Sequence, residues 1–411
     1  MKNYDLMIIG GCASGLAAAI NAKRLAPEAR IAVAERLPRV GKKLLATGNG
    51  RCNLTNIHAL GHEYKNREFA LTALEKYPPE RVVDFFATLG LRCRTDGEGR
   101  VYPRSNAASS VLDALRFEVE RLGVEVLCDT PINSIKKNGQ KFIINNSFVA
   151  DRVMIACGGR SSPSQGSDGS GYALAEMLDH KVTELRPALV PLVAADPAEV
   201  RPLKGIRAAN VSLRLESGGK SASSQGEILF TDSGISGIAA MELASHIADK
   251  QKTFTHIDFI PELDLKALTE YICSLRHIKG ERPLDDLLSG ILVKQLGVQI
   301  CKACILYKRD RKIKTLTDGE CTAIACKVKD YTVAVSGVKG FNDSQVTSGG
   351  VNVGGIDPAT MQSRLVKGLY FAGEIIDVDG GCGGFNLHWA FGSGIAAGRD
   401  AARRVQRQRK K

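Results

Sequence analysis

The chain has 411 residues, 44% hydrophobic and 24% charged, which excludes disordered, collagen-like and coiled-coil architectures and leaves room for two or three globular domains. No run approaches the ~20 apolar residues a membrane helix needs, and Met1-Lys2-Asn3-Tyr4-Asp5 leads into a strand-like run with no cleavage site, so a soluble cytoplasmic protein acting on a small molecule is expected. The net charge is +12 with six positive side chains inside residues 403–411, and no RNA or DNA motif accompanies them, so the excess reads as a basic helix end plus sites for anionic ligands rather than a nucleic-acid footprint.

Leu6-Met7-Ile8-Ile9 has the short apolar pattern of a strand buried on both faces. Gly10-Gly11-Cys12-Ala13-Ser14-Gly15 follows, and a helix from Leu16 closes before Pro27. A second strand, Ile31–Ala34, ends at Glu35. Strand, glycine turn, helix, strand and acid form the dinucleotide-binding βαβ pattern. Gly10 permits the tight turn and Gly15 the close approach of helix and strand, while the helix start at Ala13 and Ser14 offers free N–H groups to a pyrophosphate. Glu35 is placed to accept hydrogen bonds from two ribose hydroxyls. Cys12 occupies the position where the pattern places glycine, so a side chain must be accommodated beside the phosphate.

Residues 41–56, Gly-Lys-Lys-Leu-Leu-Ala-Thr-Gly-Asn-Gly-Arg-Cys-Asn-Leu-Thr-Asn, make a glycine-rich, basic, amide-rich loop. Lys42, Lys43, Gly48, Arg51, Cys52 and Asn53 supply turns and donors suited to a phosphate and a polar ring edge. A helix over 107–122 leads to a third parallel strand at 123–127, and 142–150 alternates as an antiparallel ribbon. Arg152–Ala156 is a strand running into Cys157-Gly158-Gly159. No parallel alternation continues from about 190 to 337: Val211–Leu215 alternates as an antiparallel strand, and 264–311 has a helical pattern that places Leu287, Leu288, Ile291, Leu292 and Leu296 on one face. The division expected is therefore 1–187 and 338–411 as one split cofactor domain, with 188–337 inserted, strand-rich over 188–262 and helical over 263–312.

The eleven cysteines are odd in number and scattered, as reduced thiols would be. Cys301-Lys302-Ala303-Cys304 has no second pair to complete a metal site, so it reads as packing, and no metal is expected. Leu369–Ala372 is a buried strand ending in Gly373 and Glu374. Asp377 and Gly380-Gly381-Cys382-Gly383-Gly384 then lead through Phe385, Asn386 and Leu387 into an apolar helix. This second glycine-to-helix turn aims bare N–H groups at one spot. His388 in that turn and Cys52 in the basic loop are the candidate catalytic groups.

The 41–56 segment resembles the hallmark of a two-domain flavoprotein family, the aminoacetone-oxidase and BaiN-type group. Gly99-Arg100-Val101-Tyr102-Pro103, Pro187–Leu192, Gly226–Thr231 and the stretch from Gln345 to Phe391 are similar to that family too. The resemblance implies a Rossmann-like α/β FAD-binding fold of the glutathione-reductase type, interrupted by an inserted antiparallel-β and helical domain. It implies adenine near Ile132 and a second cofactor turn at Gly158; Arg36 and Gly373 are further cofactor-binding candidates, Glu374 and Asp377 are placed for the ribityl chain or phosphate waters, and the isoalloxazine pyrimidine edge is expected at 385–387. No second strand–GxGxxG–helix unit is present, so a separately folded NAD domain is not expected: either NAD(P)H visits as a transient donor, which is favoured, or oxygen or another acceptor closes the cycle. Two substrate classes follow from the resemblance: reduction of a conjugated C=C bond in a 3-oxo bile-acid or steroid-like molecule, which is favoured, and oxidation of a small amine such as aminoacetone. A flavin-containing RNA-binding or RNA-modifying protein is the alternative of another class. Whether the chain forms a homo-oligomer stays open.

Overall fold

The computed structural model describes residues 1–411 except Glu63, Asp249, Lys250, Leu306, Lys410 and Lys411. The chain forms two compact units, Met1–Pro187 with Gln345–Lys411, and Ala188–Ser344.

The first unit is built on a seven-stranded sheet. Lys2–Ile9 lies at its centre, parallel to Ile31–Ala34 on one side and to Phe148–Ile155 on the other. Glu125–Leu127 extends the sheet beyond Ile31–Ala34, and Leu369–Phe371 joins it in parallel beside Phe148–Ile155. Ile135–Asn138 and Lys141–Ile144 fold back as the antiparallel ribbon. The central strand is apolar at Leu6, Met7, Ile8 and Ile9 and all four side chains are buried, as in a parallel strand covered on both faces.

The helix Ala13–Leu25 is buried all round from Ala13 to Ala22, where most of its side chains are small and apolar. Its main neighbour is the 25-residue C-terminal helix Phe385–Arg409. Small residues set the spacing of this pair. A Cβ on Gly394 would lie 2.4 Å from the Ser14 carbonyl oxygen, and one on Gly398 would lie 2.3 Å from that of Ala18. Ser14 and Ala18, like Gly394 and Gly398, are four residues apart and share a helix face. The basic tail continues this helix through Arg409, with Val405 buried and Gln408 accepting a 2.7 Å hydrogen bond from Arg152. Its last two lysines lie outside the described residues.

In the second unit, six antiparallel strands close into a barrel: Leu192–Ala194, Arg207–Ser217, Lys220–Phe230, Gly234–Ser236, Thr253–Asp258 and Tyr331–Val338. Closure removes the free edges an open sheet would expose. The strand Tyr331–Val338 belongs to this barrel, so the unit ends beyond the expected Gly337 boundary. The helical expectation over 264–311 needs correction. Among the described residues of this stretch, α-helices form at Leu265–Ile278 and Lys294–Cys304 with one 3-10 turn, Leu284–Asp286, between them, and Gly280, Pro283 and Gly290 break the pattern. Leu287 and Leu288 are buried, but not as one helix face with Leu296. Cys301 is a core residue of this unit and burial pushes its thiol up to about 12. Among the described residues, no helix is long and apolar enough to cross a membrane.

Replacing Gly394 by Val inserts a branched side chain where even a Cβ collides with backbone. Overpacking of this kind costs about 1–3 kcal/mol. The melting temperature of Gly394→Val is expected to fall by several degrees; an unchanged value in thermal scans would contradict the close helix contact.

Candidate functional site

The glycine turn after the first strand has the geometry its sequence requires. Gly10 has φ +109, and a Cβ there would lie 2.4 Å from the Ala156 carbonyl oxygen. At Gly15 a Cβ would lie 1.9 Å from the carbonyl oxygen of Gly10. Cys12 has φ −116 and ψ −154, an extended conformation open to any residue, so its backbone is unstrained while its side chain stands where the pattern keeps only a hydrogen. Desolvation pushes the thiol of this half-buried side chain up, and it gives the helix no side-chain cap. The first-turn N–H groups of Ala13, Ser14 and Gly15 therefore keep the anion-attracting character of an uncapped helix start.

Glu35 is buried at the end of the second strand. Its Oε2 accepts from the Gly11 N–H at 2.9 Å and its Oε1 from the Leu37 N–H at 3.0 Å. A carboxylate has about four acceptor sites, so two remain for hydroxyl donors. Glu35 lines a cleft with Gly10, Arg36, Ile132, Asn133 and Asp168. Arg36 is held there by Asp168 at 2.9 Å. A cradle that admits no Cβ, an uncapped helix start and an oriented acid suit the pyrophosphate, ribose and adenine of a dinucleotide.

The second part of the unit meets the first at this cradle. Gly373, with φ +79, comes so close that a Cβ would lie 2.7 Å from Ser14 Oγ. Gly158, with φ +74, faces Ser167, and a Cβ there would lie 3.0 Å from Ser167 Oγ and 3.7 Å from Glu374 Oε2. Lys43 and Glu374 form an ion pair at 2.9 Å, and Glu374 also accepts from the Thr347 N–H at 2.8 Å. Asp377 is more fully engaged. It pairs with Lys65 at 2.8 Å, accepts from Thr183 Oγ1 at 2.9 Å, and its carbonyl accepts from Asn66 at 2.6 Å. Lys42 donates to the Ser164 carbonyl at 2.7 Å. These groups clamp chain segments to one another and are less free for a ligand than their types alone indicate.

The turn before the C-terminal helix packs on the basic loop. Gly383 and Gly384 have φ +122 and +101, and a Cβ on Gly384 would lie 2.6 Å from Asn53 Oδ1. Asn53 Oδ1 is itself buried without a hydrogen-bond partner. Asn386 spends its amide on Gly380 and Gly381, and the Phe385 ring stacks on His62 with centroids 3.7 Å apart. What residues 385–387, including half-buried Leu387, can offer a ligand is the backbone N–H groups of the helix start. Arg51 donates to the Gly48 carbonyl and lies over the Tyr102 ring.

Neither group expected to be catalytic is built for that work. His388 is fully buried, its Nδ1 lies 2.8 Å from Thr55 Oγ1, and burial pushes its pKa down to about 3, so the imidazole is neutral and sealed. Cys52 is fully buried in the left-handed region at φ 58, and burial pushes its thiol up to about 12, far from the thiolate that redox or nucleophilic chemistry requires. Both side chains are packed in the interior, His388 against Thr55. The group that sequence reasoning passed over is Asp379. Burial, with Asp377 and Glu374 nearby, raises it to about 6 despite Lys65 and Ser348, and its Oδ1 has no hydrogen-bond partner. Lys65 and His62 were also missed, since no motif spacing marks them.

The fold and site together define a flavoprotein oxidoreductase with a Rossmann-type FAD-binding domain and an inserted antiparallel barrel. The chain belongs to the HI0933-like protein Rossmann domain family, whose model matches residues 4–400. It is 36% identical over 406 residues to the 3-dehydro-bile acid delta(4,6)-reductase of Clostridium scindens, covering 97% of this chain and 98% of that protein. It is 28% identical to the ribosomal RNA dihydrouridine synthase of Escherichia coli, again over 97% and 98% of the two chains. The 3-ketosteroid delta1-dehydrogenase of Sterolibacterium denitrificans shares the fold with a TM-score of 0.52 at 14% identity, covering 98% of this chain and all of that one.

Two substitutions test the site. Glu35→Ala removes an acceptor whose charge-assisted hydrogen bonds are worth about 1.5–3 kcal/mol, so FAD affinity measured by fluorescence titration is expected to fall roughly ten- to a hundredfold. For Asp379, a folded pKa above the ordinary carboxylate value means that its contribution to stability is complete at acid pH and is lost as pH rises through about 6. Asp379→Asn is therefore expected to raise the melting temperature at pH 8 relative to the native protein, but not at pH 4. Equal shifts at both pH values would refute the raised pKa.

Proposed function

We propose that the protein reduces a carbon–carbon double bond conjugated to a carbonyl in a 3-oxo bile-acid or steroid-type substrate, with FAD as resident cofactor and NAD(P)H as visiting electron donor. The observation that carries this reading is the 36% identity to a bile-acid reductase, which runs through both units of the chain rather than the cofactor-binding half alone. FAD bound in the cradle would supply two-electron redox chemistry.

The chain's own residues supply the rest. Gly10, Ala13, Ser14 and Gly15 receive the pyrophosphate, and Glu35, Arg36 and Ile132 receive the adenosine. The loop around Gly48, Arg51, Cys52 and Asn53 and the helix start at Phe385, Asn386 and Leu387 hold the ring system, where the helix N–H groups favour negative charge. Saturation of the double bond also consumes one proton. Asp379 is assigned as the group that holds it, because it is half-buried beside the glycine turn and carries a proton closer to neutrality than an ordinary carboxylate.

A second reading is favoured by one specific observation. Dihydrouridine forms from uridine by saturation of a double bond that is also conjugated to a carbonyl, and a relative 28% identical over 97% of this chain is an rRNA dihydrouridine synthase. The +12 charge of the chain suits an RNA substrate.

Anaerobic titration with NADH and NADPH, followed by addition of a 3-oxo-Δ4,6 bile acid, separates these readings. Bleaching of the flavin by the nicotinamide, recovery of its colour with the bile acid and a product heavier by two hydrogens are expected. A reduced flavin that the enone leaves unchanged, together with loss of dihydrouridine from rRNA in a deletion strain, would overturn the bile-acid reading in favour of RNA. Peroxide release from aminoacetone in air would overturn both.

A further inference from the structure

The small antiparallel sheet beside the cofactor loop carries an arrangement that the proposed chemistry does not use. Cys93–Thr95 pairs with Arg100–Pro103 with Arg94 opposite Tyr102. The ladder continues one step further, where the Arg104 N–H donates to the Arg92 carbonyl at 2.7 Å. Residues directly opposite one another and residues two apart share a face of such a ribbon, so Arg92, Arg94, Tyr102 and Arg104 stand on one side. Arg51 reaches the same place from the basic loop: its guanidinium carbon lies 5.1 Å from the centre of the Tyr102 ring, and that of Arg94 lies 5.4 Å from it. Four cations thus share one small face.

Like charges opposite each other destabilise a ribbon. The usual remedy is an acid between them, and the neighbouring Arg100 has it in Asp96 and Glu98. Among the described residues, none of Arg51, Arg92, Arg94 and Arg104 forms an ion pair. Their positive charge is therefore uncompensated by the protein. Tyr102 at the centre touches the cofactor loop, since a Cβ on Gly48 would lie 3.6 Å from its ring and 3.0 Å from the Asn53 nitrogen. Asn53 in turn meets Gly384 at the start of the C-terminal helix. The arginine face is continuous with the wall that holds the ring system. Its steps of about 5–7 Å match one or two oxyanions rather than a long polyanion.

We propose that Arg51, Arg92, Arg94 and Arg104 recognise an oxyanion, phosphate or carboxylate, on the small molecule that reaches this site. The inference rests on the reading that the loop borders the reaction site. Guanidinium groups suit the task because their planar fork meets two oxygens of either anion at once. The oxyanion is carried either by a phosphorylated nicotinamide donor or by the side-chain acid of a steroid substrate, and the chemistry of recognition is the same.

The test uses the FAD-loaded protein and its Arg92→Gln/Arg104→Gln variant, both at exposed positions. Binding of inorganic pyrophosphate, NADPH, NADH, a 3-oxo steroid acid and its methyl ester is measured by calorimetry at constant ionic strength. Pyrophosphate affinity is expected to fall about tenfold or more in the variant. A Lys136→Gln/Lys141→Gln control, which changes the net charge equally on another part of the same unit, is expected to leave it unchanged. A loss for NADPH without one for NADH assigns the oxyanion to the donor, and a loss for the acid without one for the ester assigns it to the substrate. Unchanged affinity for every small anion overturns the proposal. So does a variant that weakens binding of an RNA oligonucleotide alone, which would make the face a polynucleotide surface. The pyrophosphate measurement needs no turnover, so a protein that passes it yet reduces no enone loses the proposed reaction and keeps this site.

Discussion

The architecture depends on close backbone contact between two segments that are far apart in sequence. Ser14 and Ala18 on the first helix meet Gly394 and Gly398 on the last, and Ser14 also meets Gly373 at the end of the last parallel strand. No side chain fits between them. That proximity brings the first glycine turn and the turn leading into the C-terminal helix into one unit, so two helix starts contribute to one cofactor domain. A ligand held there gains from both ends. The inserted barrel carries its own core, which lets the cofactor domain be interrupted without losing its sheet.

Charge reinforces this contact. Lys43 with Glu374 and Lys65 with Asp377 each join the first stretch of chain to the last. Such partly buried pairs leave a costly unpaired charge if either member is lost, and they tie the two stretches in a defined register. Residues that look like ligands when read singly are thus partly occupied with one another. Burial, with Asp377 and Glu374 nearby, raises Asp379, a carboxyl group that motif spacing does not mark.

The site was legible in the sequence to different depths. Gly10, Gly15 and Glu35 could be read because each answers a local demand: a positive φ, a contact with no room for Cβ, and an acid at a strand end. The turns of the 41–56 loop were legible from its glycines, but the burial and partners of the side chains within it were not. His388 and Cys52 have reactive side chains, and only burial shows that one is a neutral imidazole and the other an inert thiol. The arginine ribbon was invisible for a related reason. Arg51, Arg92, Arg94 and Arg104 are spread over 54 positions, and strand register alone gathers them on one face.

By itself, the sequence determined the alternation of strands and helices, the glycine turns and the interruption of the cofactor domain, because these follow from backbone stereochemistry and hydrophobic period over a few residues. Tertiary structure decided the closure of the inserted strands into a barrel, the breaks that Gly280, Pro283 and Gly290 make in an apparently helical stretch, and the partners of every ionisable group. Those depend on which distant residues share a dielectric environment, and burial and neighbouring charge are properties of the packed molecule rather than of any segment.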